Sequence, residues 1–434
     1  MIASVVFTIL ISIAGYLFFK RIRQIRTIIL SGKSYSVEGS SKSRLKNLIL
    51  VALGQQKMFQ RPLSAIMHVL VYAGFVLINI EVLEIILDGV FNTHRIFSWL
   101  GNFYNVLIGF FEILSVLVFV AVVVFWWRRN ILKLPRFMNP ELKGWPQRDA
   151  NIILYTEMVL MTLLLVMNAS DQILQQRHIE HYVTAGYFPF SQFLSPLFSS
   201  WESQHLIILE RACWWLHIAG ILAFLNYLPY SKHLHIVLAF PATYYAKLQA
   251  RGRMNHLSMV TDMVAPQFNS QYQPVNDAQI NQRFGAKDVL DLNWKQLMDA
   301  YTCTECGRCT SVCPQNQTGK QLSPRKILMD TRDRMEALLI QAPSTDPASQ
   351  AEEPVLLDHY ISRAEVLACN TCYACVEACP INLDPLSIIM DLRRYIVMEE
   401  SQAPSEWNGM FSNIENNGAP WQFSPSDRGS WTKK

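Results

Sequence analysis

The hydrophobic and polar positions divide the chain near residue 240. Before that point long apolar runs alternate with short polar stretches. After it Gln, Asn, Asp and Pro become frequent and the long runs stop. Five runs, at residues 2–19, 62–87, 103–127, 152–168 and 206–228, come close to or exceed the ~20 helical residues that cross a ~30 Å hydrocarbon layer. The fourth is the shortest. The first has no basic stretch before it and no small-residue cleavage site after it, so it reads as a retained helix and not a leader. Downstream, residues 322–339 and 386–398 show helical apolar spacing. Residues 250–285 carry little periodicity, and residues 342–354 read as a loop. The pattern predicts an all-α protein. A five-helix transmembrane bundle fills residues 1–240, a linker 241–285, an α-helical domain 286–400 and an extended tail 401–434.

Charge orients this arrangement. The stretch from Lys20 to Arg61 holds ten Lys and Arg, and that from Arg128 to Arg148 holds six. The loops near Arg95 and Arg177 hold one each. By the positive-inside rule the two basic stretches are cytoplasmic. The N-terminus then lies outside, and everything after the fifth helix lies in the cytoplasm beneath the inner membrane. The net charge of +4 belongs to this anchoring, and no nucleic-acid partner is expected. Trp126, Trp127, Trp214 and Trp215 near run ends fit interfacial belts.

Eight of the nine cysteines fall in two copies of one run. The first is Cys303-Thr-Glu-Cys306-Gly-Arg-Cys309-Thr-Ser-Val-Cys313-Pro314, and the second is Cys369-Asn-Thr-Cys372-Tyr-Ala-Cys375-Val-Glu-Ala-Cys379-Pro380. Both read C-x2-C-x2-C-x3-C-P, the spacing of bacterial [4Fe–4S] ferredoxins, in which the fourth Cys ligates the other cluster. Cys303, Cys306, Cys309 and Cys379 are therefore expected on one cluster. Cys369, Cys372, Cys375 and Cys313 are expected on the other. Zinc knuckles lack the trailing x3-C-P, and a disulfide framework does not suit a cytoplasmic segment. Cys213, beside Trp214 and Trp215, reads as a small buried hydrophobe.

Ionisable residues inside apolar runs are candidate functional groups. His68 sits seven residues beyond Arg61, about 10 Å deep on the cytoplasmic side. His217 lies in the fifth run. If that helix continues through Tyr230-Ser-Lys-His-Leu-His235, then His217 and His235 share one face about 27 Å apart, and His233 points nearly the opposite way. His68 and His235 at similar depth are expected to clamp one haem b iron. His217 is a candidate for a second haem, but the position ten residues after His68 is Ile78. The alternative is that each histidine bonds a neighbouring Ser or carbonyl. His94, His178, His181 and His205 fall in outer loops and read as surface residues, and His256 and His359 carry no pattern. Glu112 and Glu157 lie within the third and fourth runs. They are either proton-exchange groups for a quinone or structural partners of Arg and Tyr. Asn168 and Asp171 are weaker candidates for a headgroup pocket.

Residues 60–240, with His68, His217, His235 and the Tyr230-Ser-Lys-His-Leu-His235 turn, resemble the five-helix cytochrome b subunit of respiratory nitrate reductase. That family binds two haems through four His and oxidises quinol. The resemblance matches His68 and His235 to the cluster-facing haem. Residues 284–400 resemble the di-cluster subunit of the heterodisulfide reductase family. The match rests on Trp294-Lys-Gln-Leu-Met-Asp-Ala-Tyr301, Cys306-Gly-Arg-Cys309, Thr318-Gly-Lys-Gln-Leu-Ser-Pro324 and the stretch from Leu386 to Arg394. Ile414-Glu-Asn-Asn-Gly-Ala-Pro-Trp421 and Asp427-Arg-Gly-Ser-Trp431 resemble the linker of fused members, in which a catalytic domain with CCG sequences follows. No CC pair occurs up to Lys434, so the resemblance implies a separate CCG-domain subunit, with the tail as a docking arm.

The expected function is electron transfer between a cytoplasmic partner and membrane quinone, menaquinone or ubiquinone, as a subunit of a quinone-linked oxidoreductase. Substrate chemistry, including oxidation of an electron-transfer flavoprotein, falls to the partner. Two alternatives stand beside it. One is a quinol-oxidising disulfide reductase module with reversed flow. The other is a haem-free membrane ferredoxin for respiratory assembly or redox sensing.

Overall fold

The computed structural model describes residues 2–250, 252–273, 283–340 and 354–433. Its regular structure is helical, and no strand forms among the described residues. Five helices are long and apolar enough to cross a membrane: α1 (Ile2–Leu30), α2 (Pro62–Phe91), α3 (Asn102–Asn130), α4 (Trp145–Gln176) and α5 (Ser203–Tyr227). In hydrocarbon each backbone N–H and C=O needs a partner within its own segment, and a helix supplies one for every residue.

Two spans extend furthest beyond their apolar runs, each for a physical reason. α1 continues past Phe19 through Lys20, Arg21, Arg23 and Arg26 to Leu30. Its last turns leave the bundle, and Ile25, Ile28 and Ile29 are buried in the core of the cysteine-bearing half. Its earlier turns leave Val5, Val6, Ile9 and Ile13 exposed, an apolar surface suited to lipid. α4 extends past Asn168 because Asn168, Asp171 and Gln175 are buried against partners and not in water. Hydropathy counts such residues as polar although the fold hides them.

The fifth helix does not continue to His235. Pro229 has no N–H to donate, so α5 stops at Tyr227 and two 3-10 turns, Leu228–Tyr230 and Lys232–Leu234, follow. A new helix, α6, starts at His235 and runs to Tyr244. The one-face geometry expected for His217 and His235 does not hold. The rings of His233 and His235 lie 5.4 Å apart instead of pointing opposite ways.

The cysteine-bearing half is built on α7 (Trp294–Thr302), α8 (Pro324–Ile340) and α9 (Pro385–Arg394). Leu297, Ala300, Ile327, Leu356, Leu392 and Ile396 form its centre with no exposure. A helix at Ser258–Phe268 falls within the expected linker. The expected loop at 342–354 lies outside the described residues, apart from Pro354. The tail, expected to be extended, is helical over Ser405–Asn417, with a 3-10 segment at Pro425–Thr432.

This half packs on the end of the bundle where α1, α3 and α5 finish and α2 and α4 begin. Both basic stretches lie at that end. Arg325, fully buried, donates to the Arg136 carbonyl and to Glu141, each at 2.7 Å. Arg61 reaches Ser311 at 3.1 Å, and Lys57 reaches Asn382 at 2.9 Å. Burial alone would raise the Glu141 carboxyl, but hydrogen bonds from Arg325 and Ser323 outweigh it and hold the group below the usual carboxylate range.

Arg325→Met leaves Glu141 without its cation. Breaking a buried pair costs roughly 3–5 kcal/mol, so the thermal midpoint of the purified chain is expected to fall, and an unchanged midpoint contradicts the docking role. The depressed Glu141 carboxyl stabilises the fold above its unfolded-state pKa. That contribution is lost as pH falls through the lower folded-state value. Thermal scans across that acid range are expected to be flatter for Glu141→Gln than for the wild type.

Candidate functional site

The two cysteine runs repeat in local structure as well as in spacing. Each follows a helix held at its start by a capping box, Asn293 with Gln296 ahead of the first and Ser362 with Glu365 ahead of the second. Each of these helices stops at the residue before its first cysteine. The backbone then turns left-handed twice at matching positions. These are Glu305 (φ 55°) and Gly307 (φ 71°) in the first run, and Thr371 (φ 56°) and Tyr373 (φ 61°) in the second. Left-handed backbone in non-glycine residues is strained and gathers at functional sites. Here it curls each loop inward. Glycine is required at 307, where a Cβ would stand 2.5 Å from the Arg325 guanidinium.

Cys303, Cys306 and Cys309 of the first run line one cavity together with Cys375 and Cys379 of the second. Burial pushes the Cys303 thiol up to about 12 and the Cys379 thiol up to about 11, and Cys306 beside each pushes it further. Cys375 is raised by burial and by Asp384, Cys369 and Cys313 nearby. Cys369 is raised by burial and has Cys313 and Cys372 for neighbours. Thiols of the two runs thus lie side by side: Cys379 beside Cys306 of the first run, and Cys313 beside Cys369 and Cys375 of the second. Thiols raised this far stay protonated at neutral pH unless a metal centre takes the charge. The Thr371 N–H approaches Cys369 Sγ at 3.4 Å, and the Leu383 N–H approaches Cys379 Sγ at 3.3 Å. Hydrogen bonds to cluster sulfurs are one of the levers on cluster potential. Among the described residues, no three His, Cys, Asp or Glu side chains converge on a single-ion site. Cys372 is exposed, whereas the first loop faces the bundle through Arg308, which donates to the Lys57 carbonyl at 3.2 Å.

His68 and His235 face each other at the same end of the bundle, with ring centres 6.4 Å apart. Two imidazoles ligating one metal from opposite sides, through bonds of about 2 Å, place their centres roughly 6 Å apart. Both rings are fixed from behind. His68 Nδ1–H donates to Gln55 Oε1 at 2.9 Å, and His235 Nδ1–H donates to the Lys232 carbonyl at 3.0 Å. These bonds leave each Nε2 as a lone pair, the arrangement of metal-ligating histidines. Gln55 is itself buried and left-handed (φ 49°). Burial lowers the pKa of His235. Burial together with His235 and His68 brings His233 down to about 3, so these rings are neutral at physiological pH. Lys232 Nζ pairs with Glu305 of the first cysteine loop, which Arg332 also holds at 2.9 Å. One residue therefore grips the cysteine loop with its side chain and His235 with its carbonyl.

The other candidates separate. His217 is fully buried and donates from Nδ1 to the Leu160 carbonyl at 3.0 Å. Ile78 is buried on α2. Glu112 is committed to structure: it accepts from the Phe190 N–H at 2.8 Å and from Ser191. Glu157 is half-buried and has no hydrogen bond among the described residues. His94 is not a surface residue. Its side chain is 7% exposed, donates to Asp171 at 3.1 Å and accepts from the Val183 N–H. Asp171 also holds Arg95 at 2.6 Å, closing the end of the bundle away from the cysteines. His178, His181 and His205 are exposed as expected. Sequence reasoning passed over Glu81 and Glu84, both buried on α2 one turn apart. The available signal was two carboxylates inside an apolar run.

Residues 295–380 match a family model described as a 4Fe-4S dicluster domain. The chain is 26% identical over 456 residues to the probable iron-sulfur-binding oxidoreductase FadF of Bacillus subtilis (strain 168), covering 99% of this chain and 60% of that protein. It is 26% identical over 418 residues to the EtfAB:quinone oxidoreductase of Syntrophomonas wolfei subsp. wolfei, covering 89% of this chain and 54% of that protein. Over 120 residues it is 29% identical to one of the subunits of the ferredoxin/F(420)H(2)-dependent CoB-CoM heterodisulfide reductase of Methanosarcina acetivorans, covering 27% of this chain and 60% of that protein. No solved structure matches the chain. The chain spans little more than half the length of the first two relatives. Its relatives are iron–sulfur oxidoreductases and heterodisulfide reductase subunits, and it carries their kind of dicluster domain next to five apolar helices.

Proposed function

We propose that this chain is a membrane-bound electron-transfer subunit linking a cytoplasmic redox partner to the membrane quinone pool, through two [4Fe–4S] clusters and haem b. Cys303, Cys306, Cys309 and Cys379 hold one cluster, and Cys369, Cys372, Cys375 and Cys313 hold the other. His68 and His235 hold the haem, which supplies one-electron exchange within the membrane. The observation that carries this reading is the 6.4 Å facing of two histidines, each with its Nδ1–H already bonded.

The chain's own residues do the positioning. Gln55 and the Lys232 carbonyl keep the proton on Nδ1 and aim Nε2 inward. Lys232 and Glu305 hold the His235 turn against the first cysteine loop, so carriers at the two places stay close and fixed. The exposed Cys372 makes the second set the entry point for a soluble partner. The two basic stretches lie at the cluster end, which supports a cytoplasmic placement by the positive-inside rule. The relative named an EtfAB:quinone oxidoreductase supports quinone as the membrane acceptor and an electron-transfer flavoprotein as the donor. A CCG-type catalytic unit is the other partner this reading carries. The same carriers run in either direction, with the sense set by the partner's potential.

Two sets of variants test the assignments. His68→Ala and His235→Ala are each expected to abolish haem, measured as pyridine haemochrome, while both cluster signals persist in the EPR spectrum. Full haem content in either variant contradicts the ligand pair. Cys313→Ser is expected to perturb the same EPR signal as Cys372→Ser, although Cys313 lies in the first run. Cys379→Ser is expected to perturb the other signal. The reverse pairing contradicts the exchange of fourth ligands.

A further inference from the structure

A cavity of ≈ 330 Å³ opens at the end of the bundle away from the cysteines, between α1, α2 and α5. Small-molecule pockets start at about this size and combine an apolar wall with a few aimed polar groups. Phe7, Trp214 and Trp215 make the apolar wall, with ring centres 5.1 to 5.8 Å apart. Most of the charged groups around the cavity are already committed. Asp171 holds Arg95 and His94. Glu84 accepts from the Phe97 N–H and from Tyr104, and Asp88 accepts from the N–H groups of Arg95 and Ile96. Glu210 accepts from Tyr182 and pairs with Arg211. Glu81 is different. It is 5% exposed, lines the cavity and has no hydrogen bond among the described residues.

We propose that this cavity seats the quinone headgroup and that Glu81 is the carboxyl that exchanges protons with it. The inference rests on the quinone-linked reading above and goes further by naming the place and the residue. A buried carboxyl without a hydrogen bond is costly in a membrane, and such residues mark ion or proton routes. A neutral carboxyl donates a hydrogen bond and a carboxylate accepts one. That matches a ligand whose carbonyl oxygens become hydroxyls. Conversion of quinone to quinol adds two electrons and two protons, one proton to each oxygen. The electrons come from the chain's one-electron carriers, filled by the soluble partner. Glu81 passes each proton in turn and is reloaded from water that reaches the cavity, which the exposed His181 also lines. In the opposite direction the same oxygens lose the two protons and the carriers gain the two electrons. The exposed Val5, Val6 and Ile9 of α1 give an isoprenoid tail an apolar surface beside the cavity. Thirteen residues separate His68 from Glu81 along α2, a rise of about 20 Å. His217 lies between the two ends on α5, three residues beyond Trp214.

The test uses the full chain in detergent and a photoreactive azido-naphthoquinone. Labelled peptides are expected from the start of α1, from the end of α2 and around Trp214. Label confined to other parts of the chain overturns the location. No label anywhere, displaceable by menadione, overturns the quinone-linked reading itself. Glu81→Gln is then expected to keep the label and full reduction by dithionite. It is expected to slow carrier reduction by menadiol at least ten-fold, through kcat and not KM, with Glu81→Asp restoring part of the rate. An unchanged menadiol rate in Glu81→Gln overturns the role of the carboxyl. Should Glu81→Gln fail to fold, the labelling pattern of the wild type still decides the location.

Discussion

Lys232 joins the two halves of this molecule. Its ammonium pairs with Glu305 inside the first cysteine loop, and its carbonyl takes the Nδ1–H of His235. Asp149 on α4 fixes the same turn through Ser231 at 2.6 Å and the Lys232 N–H at 3.2 Å. These charges are buried, and a buried ion pair is held only where further hydrogen bonds satisfy it. Here Arg332 on Glu305 and the Pro146 carbonyl on Lys232 supply them. Without this knot the first cysteine loop and the facing histidines would share no rigid frame. Electron transfer over short distances depends on such a frame more than on any reactive side chain.

The polar chemistry of the bundle is concentrated at its two ends. At the cysteine end, Arg325 with Glu141 and Arg21 with Glu336 fasten the helical half onto the helix ends. At the other end, Arg95 with Asp171 and Tyr104 with Glu84 close the loops over a cavity. Between them α1 shows lipid-facing apolar side chains on one side and reaches into the soluble core with its last turns. A single helix thus touches the cavity at Phe7 and the cysteine-bearing core at Ile25.

Much of this was legible in the sequence, and what was not has identifiable causes. The helices were legible because a membrane demands uninterrupted apolar runs. The dicluster domain was legible because cysteines that hold such a centre demand fixed spacing. The facing of His68 and His235 followed from matched depth alone, although the helical arithmetic behind it failed at Pro229. That break carried its own warning in Leu228-Pro-Tyr230, and depth survived it because two 3-10 turns also advance the chain. The partners of the histidines were not legible. Gln55 acts from a left-handed residue seven positions before Pro62, and Lys232 acts through its backbone. His94 looked like a surface residue because nothing local announces that Asp171, on α4, will bury it. Glu81 and Glu84 were hidden by averaging over an apolar window. The far ends of α1 and α4 were hidden because burial of Arg21 and Asp171 depends on cations or carboxylates distant in sequence.

The proposed function requires the facing histidines and the clusters to form one electron path open to quinone. The most direct measurement is an equilibrium optical spectrum of the detergent-purified chain, taken oxidised and again after adding a quinol. A b-type haem band that sharpens on quinol addition, over the broad absorption of the clusters, is expected from such a path. A spectrum with cluster absorption alone, unchanged by quinol, would contradict it and leave a membrane-anchored ferredoxin.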